Sequence, residues 1–311
     1  MKVLVTGGAG FIGSHLSDRL VALGHDVVIV DDLSKGKVEN LPPQAKFYEI
    51  DIRDRELATV FASEHPQAVF HHAAHADVTR SVRDPEYDAS VNVLGSLNLL
   101  ECCRASGVQK FVYASTGGAL YGEPRYLPAD ESHPINPVAP YGVSKHVVEQ
   151  YLFTYGVNHH LDYTVLRYPN VYGPRQDPHG EAGVVAIFAV QLLTDRQPVI
   201  FGDGTKTRDY CNVADIVEAN MLALNSQAGS IYNLGRGIEV ADLEVFEAVR
   251  KAVGSNTAPG FAAVRSGEVE HIALDASKAE RELGWTWTVD LDAGIAEAVE
   301  HYRKEIERTR I

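Results

Sequence analysis

The 311 residues carry 42 acidic side chains against 28 basic ones, a formal net charge of −14, with 45% hydrophobic residues. A surface of that sign repels phosphate backbones and anionic lipid, which argues against nucleic-acid or membrane-surface binding and requires any phosphorylated ligand to meet a local cation cluster. Length and apolar content suit a large α/β core carrying a second lobe, with no need for metal or disulfide staples.

In chain order, Lys2–Val5 reads as a strand, not as a secretory leader, and Ile12–Leu23 as a helix with Leu16, Leu20 and Leu23 on one face. Short apolar runs recur at Val27–Val30, Phe47–Ile50, Ala68–His71, Lys110–Ala114 and Thr164–Arg167. Runs without alternation are those of strands buried on both faces, as in a parallel sheet. Between them, Asp84–Ser106 and Tyr141–Tyr155 read as long helices, the first stopped by Gly107 and the second entered at Pro140. This rhythm predicts an α/β fold: a doubly wound parallel sheet (Rossmann) with a second, smaller α/β substrate lobe. Beyond residue 169 glycines and prolines punctuate loops, then helices are expected at Val213–Leu224, Ala241–Val253 and Ala276–Leu283 and a strand at Ile231–Leu234. The expected division is 1–169 for the dinucleotide domain, its sheet completed by 209–235, and 170–208 with 236–311 for the second lobe. No apolar run is long enough to span a membrane. The three cysteines, Cys102, Cys103 and Cys211, include two helix neighbours that point apart, and they fit no zinc spacing. His71-His72 and His159-His160 lack ligand spacing as well. A reducing, cytoplasmic setting and no metal are the expectations.

Glycines at 7, 10 and 13 lie between the first strand and the first helix. The first permits a tight turn, the second a close approach of backbone to a pyrophosphate, and the third close packing of helix on strand. The helix N-terminus then offers free N–H groups to the anion. Asp31, ending the second strand, can accept from both hydroxyls of an adenosine ribose and would repel a 2′-phosphate, which favours NAD over NADP. Lys35 and Lys37 read as a solvated loop. Asp51 with Ile52 would lie near the adenine, the alternative for Asp51 being a plain loop acid.

Tyr141 and Lys145 form a YxxxK pair, an i, i+4 spacing that puts both on one helix face. A phenol is a poor base near neutrality, and a nearby ammonium favours its ionised form; half ionisation at pH 7 asks for about three units, roughly 4 kcal/mol. A hydroxyl beyond the Lys110–Ala114 strand completes the set. Thr116 and Ser115 are both candidates, because the glycines Gly117 and Gly118 leave the register open.

With these residues assembled, the sequence resembles the extended short-chain dehydrogenase/reductases, in the branch of UDP-glucose 4-epimerase and its relatives. The landmarks are Thr6–Gly13, Asp31-Asp32-Leu33, Asp51-Ile52, His71-His72-Ala73-Ala74, Asn92, Tyr141 with Lys145, and Leu166-Arg167-Tyr168-Pro169-Asn170. Gly202-Asp203-Gly204-Thr205 with Arg208-Asp209-Tyr210, and Arg265-Ser266-Gly267-Glu268, extend the match to about Leu283. The resemblance implies an NAD site made of Gly7, Gly10, Phe11, Ile12, Gly13, Asp31, Asp32, Leu33, Ser34, Asp51, Ile52, His72, Ala73, Ala74, Asn92, Tyr141, Lys145, Tyr168 and Pro169. It also implies a UDP-sugar site of Thr116, Asn170, Val185, Arg208, Arg265 and Glu268. There the two arginines would clamp the diphosphate, Glu268 would meet the uridine ribose, and Val185 stands where relatives place an Asn-Leu pair near the uracil. Arginine forks suit phosphate oxygens, and a surface ion pair is the alternative for each.

The implied reaction is C4 epimerisation of a UDP-sugar through a transient 4-keto intermediate, with Tyr141 as the base. UDP-glucuronate or an N-acetylhexosamine are alternative substrates, since Ile272 stands where some relatives carry a bulky tyrosine. A dehydratase would need acids directly after Thr116, where Gly117 and Gly118 stand, and a non-catalytic NAD-binding regulator would not need Thr116, Tyr141 and Lys145. By the same analogy the helices at 84–106 and 141–155 would pair with their copies in a homodimer.

Overall fold

The computed structural model describes residues 1–180, 183–265 and 267–309. Its first part runs β1 (Lys2–Thr6), α1 (Phe11–Ala22), β2 (Asp26–Asp31), β3 (Lys46–Glu49), α2 (Leu57–Glu64) and β4 (Ala68–His71). There follow α3 (Val78–Arg83), α4 (Pro85–Ala89), a π-helical turn over Ser90–Gly95, α5 (Ser96–Ser106), β5 (Lys110–Thr116), α6 (Pro140–His159) and β6 (Asp162–Tyr168). The second part runs β7 (Asn170–Tyr172), α7 (Val184–Leu193), β8 (Val199–Phe201), β9 (Thr207–Arg208), β10 (Tyr210–Asn212), α8 (Val213–Ala223) and β11 (Ser230–Asn233). It ends with β12 (Val240–Ala241), α9 (Asp242–Val253), β13 (Gly260–Ala262), α10 (Ser277–Leu283) and α11 (Leu291–Thr309).

Seven parallel strands form one sheet in the order β11-β6-β5-β4-β1-β2-β3. The order reverses between β1 and β4, so a crevice opens there at the carboxyl ends of the strands. The expected Rossmann sheet is therefore the observed one. Side chains alternate between two apolar cores. Val3 and Val5, Val27 and Ile29, Val112 and Ala114 face one; Leu4, Val28 and Val30, Phe111 and Tyr113 face the other. That is the period-two alternation of strands covered on both sides.

A third core gathers α7, α9 and α11 around Phe188, Phe246, Val299 and Tyr302. Residues 276–287 do not join it. Ala279 and Trp285 belong to the sheet's first core, and the Trp285 indole donates to the Asp215 carbonyl at 2.8 Å. Residues 276–287 thus pack on the sheet's first core, whereas α11 packs in the third. Two expectations change. The single helix over 84–106 is α4 and α5 joined by the π turn, and β5 runs two residues further than expected, so Ser115 and Thr116 lie inside the strand.

Helix α6 is fastened to the sheet by a buried ion pair. Arg167 of β6 grips Glu149 of α6 through Nη2 at 2.7 Å and Nε at 3.1 Å, and the Ser115 hydroxyl donates to the same carboxylate at 2.6 Å. Arg167 also donates to the Tyr121 hydroxyl at 2.9 Å. Breaking a buried pair from one side strands a charge in the core, at a cost of about 3–5 kcal/mol. Arg167→Leu should lower the urea midpoint by that stability with little change in slope, and adding Glu149→Leu should restore most of it. A midpoint that stays put in the single variant would contradict this account of the helix anchor.

Candidate active site

The glycine turn after β1 has no room for a side chain at Gly7 or Gly13. Gly7 has φ +69°, and a Cβ there would lie 2.6 Å from the Ala73 amide nitrogen. A Cβ on Gly13 would lie 2.1 Å from the Gly7 carbonyl oxygen, whereas one on Gly10 meets only that oxygen, at 3.2 Å. Gly10 therefore leaves open the space that a ligand's backbone contact needs. It also caps α1 without a side chain, so the N–H groups of the first turn, Phe11 and Ile12 among them, keep their anion-binding character. The loop 72–74 closes down on this turn, with the His72 amide donating to the Thr6 carbonyl at 3.1 Å and the Ala73 amide to the Thr6 hydroxyl at 3.2 Å.

Asp31 ends β2 with its carboxylate buried. It accepts the Ala9 amide at 3.0 Å and the Leu33 amide at 2.9 Å. Burial lifts its pKa and those N–H groups oppose the rise. Each oxygen retains acceptor capacity for a ribose hydroxyl. Asp32 holds the Ser34 amide and hydroxyl at 3.0 and 2.6 Å, shaping the rim. Asp51 is bound to Arg53, whose guanidinium holds its pKa down, and Ile52 is buried beside it. Lys35 lies on an exposed loop 3.7 Å from Asp177. A glycine cradle, an uncapped helix end and a buried acid with spare acceptor positions fit a dinucleotide.

At the crevice the residues of β5 and α6 come together. The Thr116 hydroxyl lies beside the Tyr141 phenol, whose pKa it lowers, and accepts the Ala119 amide at 3.2 Å. Ser115 points to the other face of the strand and is committed to Glu149, which decides between the two hydroxyls in favour of Thr116 as the one beside the phenol. Gly117 continues the ladder, donating to the Tyr168 carbonyl at 2.7 Å, and a Cβ there would lie 2.3 Å from a Leu274 methyl. Gly117 is thus demanded by packing. Lys145 is 3% exposed, with its ammonium 4.3 Å from the centre of the Tyr113 ring. Burial depresses it to about 7, against the charges of Glu149 and Asp88, while burial raises the Tyr141 phenol well above its usual value. His72, between the glycine turn and Tyr168, is pushed down to about 3 by burial and by the Lys145 charge; its Nδ1 is buried without a protein partner.

The second lobe supplies the cations. Arg208 of β9 donates to the carbonyls of Thr207 at 2.7 Å and Glu270 at 3.3 Å. Arg265 lies on the face of Phe201, 3.6 Å from its centre, with a terminal nitrogen 4.0 Å from Glu268. The half-buried Asp242 carboxylate feels the charges of Arg208, Glu268, Lys206 and Arg265, and burial raises its pKa. Asn170 stands where β6 passes to β7, its amide oxygen 3.3 Å from where a Gly118 Cβ would be. Ser266, between Arg265 and Glu268 in the sequence, lies outside the described residues.

Residues 3–235 match the model of the NAD dependent epimerase/dehydratase family. A relative from Methanocaldococcus jannaschii, called a putative UDP-glucose 4-epimerase, is 46% identical over 307 residues, covering 99% of this chain and 100% of that protein. Among solved structures, UDP-glucose 4-epimerase of Thermotoga maritima with UDP-glucose superposes with a TM-score of 0.97 at 46% identity, covering 98% of this chain and 100% of the other. That of Thermus thermophilus with NAD gives 0.93 at 47%, covering 97% and 99%. The chain belongs to the NAD dependent epimerase/dehydratase family.

In this family member several side chains do not stand as the sequence implied. Val185 is 1% exposed in the third core, so a uracil contact cannot come from its side chain. Tyr168 turns into the sheet's core, its hydroxyl donating to Asn220 at 3.0 Å and paired with His72 at 3.1 Å, and Pro169 beside it is buried. Asn92 is 2% exposed and spends its amide on His75, Asp88 and Ser144, which makes it the fastening of the 72–77 loop to α6. Ile272 is packed against Tyr121, Ala129 and Leu274, away from open space. Three charged groups escaped sequence reading. Asp88 is 1% exposed, pairs with His75 at 3.2 Å and presents one oxygen without a partner; Glu149 anchors α6; and Lys206 lies buried in the second lobe. No motif spacing marks them, because each is brought to the site from a different element.

Lys145 titrates near 7 in the fold and near 10.5 as an ordinary lysine, so between those values the unfolded chain binds the extra proton. The group's contribution to stability therefore rises as pH climbs from about 7. In chemical denaturation of cofactor-free protein, wild type should gain on the order of 2 kcal/mol over Lys145→Met between about pH 7 and 9. Parallel stability curves for the two proteins would refute the depressed value.

Proposed function

We propose that this chain interconverts the C4 epimers of a UDP-hexose of the UDP-glucose/UDP-galactose type, with NAD as a resident cofactor. The observation that carries the reading is the Tyr141 phenol beside the Thr116 hydroxyl at the carboxyl end of β5, one helical turn from the buried Lys145. Gly7, Gly10, Gly13 and the first turn of α1 would hold the pyrophosphate, Asp31 the adenosine ribose, and Lys145 the nicotinamide ribose. Bound NAD would supply the redox chemistry, a reversible acceptor of a hydride from C4 of the sugar.

The protein's part is to move one proton and to hold the substrate. Tyr141 takes the proton of the 4-hydroxyl and gives it back after the sugar has turned. Thr116 binds the reacting oxygen and lowers the cost of charge on the phenol. In the fold burial works against the phenolate, so the ionised form depends on positive charge at Lys145 and beside it. Arg208 and Arg265 grip the diphosphate and Glu268 the uridine ribose, which fixes one end of the substrate while the hexose presents either face. Residues 1–169 with 209–235 and 276–287 then serve the cofactor, and the remainder the sugar nucleotide.

Among the described residues no helix is long and apolar enough to cross a membrane, and all three cysteines are free and buried. These facts support a cytoplasmic enzyme. A homodimer through α5 and α6 is supported by the exposure of Leu94, Val143, Tyr151, Phe153 and Val157 and by the apolar groove lined by Val93, Pro137, Val143 and Val147.

Purified protein should interconvert UDP-galactose and UDP-glucose with no added reductant and no change in product mass. Tyr141→Phe should lower kcat by about 100-fold or more at nearly unchanged KM. Wild-type rates in that variant would remove Tyr141 as the base, and a mass change in the product would point to a dehydratase. Light scattering should give twice the 34.0 kDa chain mass, and Phe153→Asp with Val157→Asp should return it to the monomer value.

A further inference from the structure

Lys206 takes no part in the readings above. It lies between the Gly202–Thr205 turn and β9, its carbonyl accepts the Asp242 amide at 3.0 Å, and it is 2% exposed. A buried ammonium requires a partner. Here that partner is Glu268, whose Oε2 accepts from Nζ at 2.7 Å. The other carboxylate oxygen, Oε1, lies 4.0 Å from Arg265, and the Glu268 side chain keeps 24% of its surface exposed. Asp242 and Glu268 are the acids of this cluster, and Lys206, Arg208 and Arg265 its cations. Among the described residues Glu268 is fastened at one oxygen, with acceptor positions left on a carboxylate that has about four in all. A glutamate without such a tether would spread over several rotamers.

We propose that Lys206 is a specificity-determining positioning residue. By holding Oε2 it aims Glu268 at the vicinal hydroxyls of the nucleotide ribose, and it thereby makes the site select ribonucleotide sugars over their 2′-deoxy counterparts. The inference rests on the proposed reading that Glu268 meets that ribose. Its physical basis is that an acceptor held in place for a hydroxyl rejects an analogue lacking it more strongly than a loosely held one does.

The test compares wild type with Lys206→Met, which keeps length and removes charge, and Lys206→Arg, which keeps charge. UDP and 2′-deoxy-UDP are titrated calorimetrically into the NAD-loaded proteins, and UDP-galactose and its 2′-deoxy analogue are followed kinetically. In K206M the preference for UDP over 2′-deoxy-UDP should shrink about tenfold, and KM for UDP-galactose should rise about tenfold with kcat within about twofold. K206R should recover most of the preference. An unchanged affinity ratio in K206M, or equal losses with both nucleotides, overturns the proposal. Should K206M fail to fold by circular dichroism, Lys206→Gln replaces it in the same titrations: a shrunken ratio supports the proposal and an unchanged one overturns it. Because the titrations need no turnover, a wild type that binds UDP but does not epimerise UDP-galactose would count against the proposed function and leave the Lys206 outcome readable.

Discussion

The grip of Arg167 on Glu149 is the constraint on which the crevice depends. The two charges lie almost wholly inside the protein, and each would be costly there alone. Their geometry is bidentate, Ser115 donates a further hydrogen bond, and His146 stands 3.4 Å from the second carboxylate oxygen. Burial would raise the pKa of Glu149, and these partners hold it below the ordinary value nonetheless. Because Glu149 lies one turn beyond Lys145, the pair sets both the rotation and the height of α6 against β5 and β6. The same register puts Thr116 opposite Tyr168 at the strand ends, beside the phenol of Tyr141. A shift of one residue in β5 would exchange Thr116 for Ser115, and the buried carboxylate opposes that shift.

Around this anchor the protein builds a site in which charge is scarce and therefore effective. Tyr141 and Lys145 are displaced by burial in opposite directions, the phenol upward and the ammonium downward, so both drift toward their neutral forms. Asp88, delivered by α4, and Glu149, on α6 itself, pull the lysine back toward its charged form. The balance makes the lysine responsive near neutral pH, where a fully solvated lysine would not be. The second lobe solves the opposite problem. In a chain of net charge −14, Lys206, Arg208 and Arg265 are gathered around two acids, in a cluster that has no counterpart in the overall composition and suits an anionic ligand.

Much of this was legible in the residues themselves. The glycine turn, Asp31 and the Tyr141–Lys145 spacing are local patterns, each produced within one turn or one helix, and local geometry follows from local sequence. The strands were legible because burial on both faces leaves unbroken apolar runs, and the strand edges were misplaced by a residue or two because β5 ends on polar residues. Helix α7, Val184–Leu193, carried no readable period since it is apolar nearly all round, and the π turn at Ser90–Gly95 is invisible to a helical pattern that continues through it.

The sheet, the dinucleotide turn and the Tyr141–Lys145 pair are therefore written in the order of the residues alone. It took the packed fold to choose the hydroxyl that faces the phenol, to make supports of Asn92 and Tyr168, to put Val185 in the core, and to return residues 276–287 to the sheet. The physical reason is the range of the interactions. A turn or an i, i+4 pair is fixed by neighbours along the chain, whereas the partner of a buried charge such as Glu149, Asp88 or Lys206 is selected by desolvation in the assembled protein, from elements that no spacing connects.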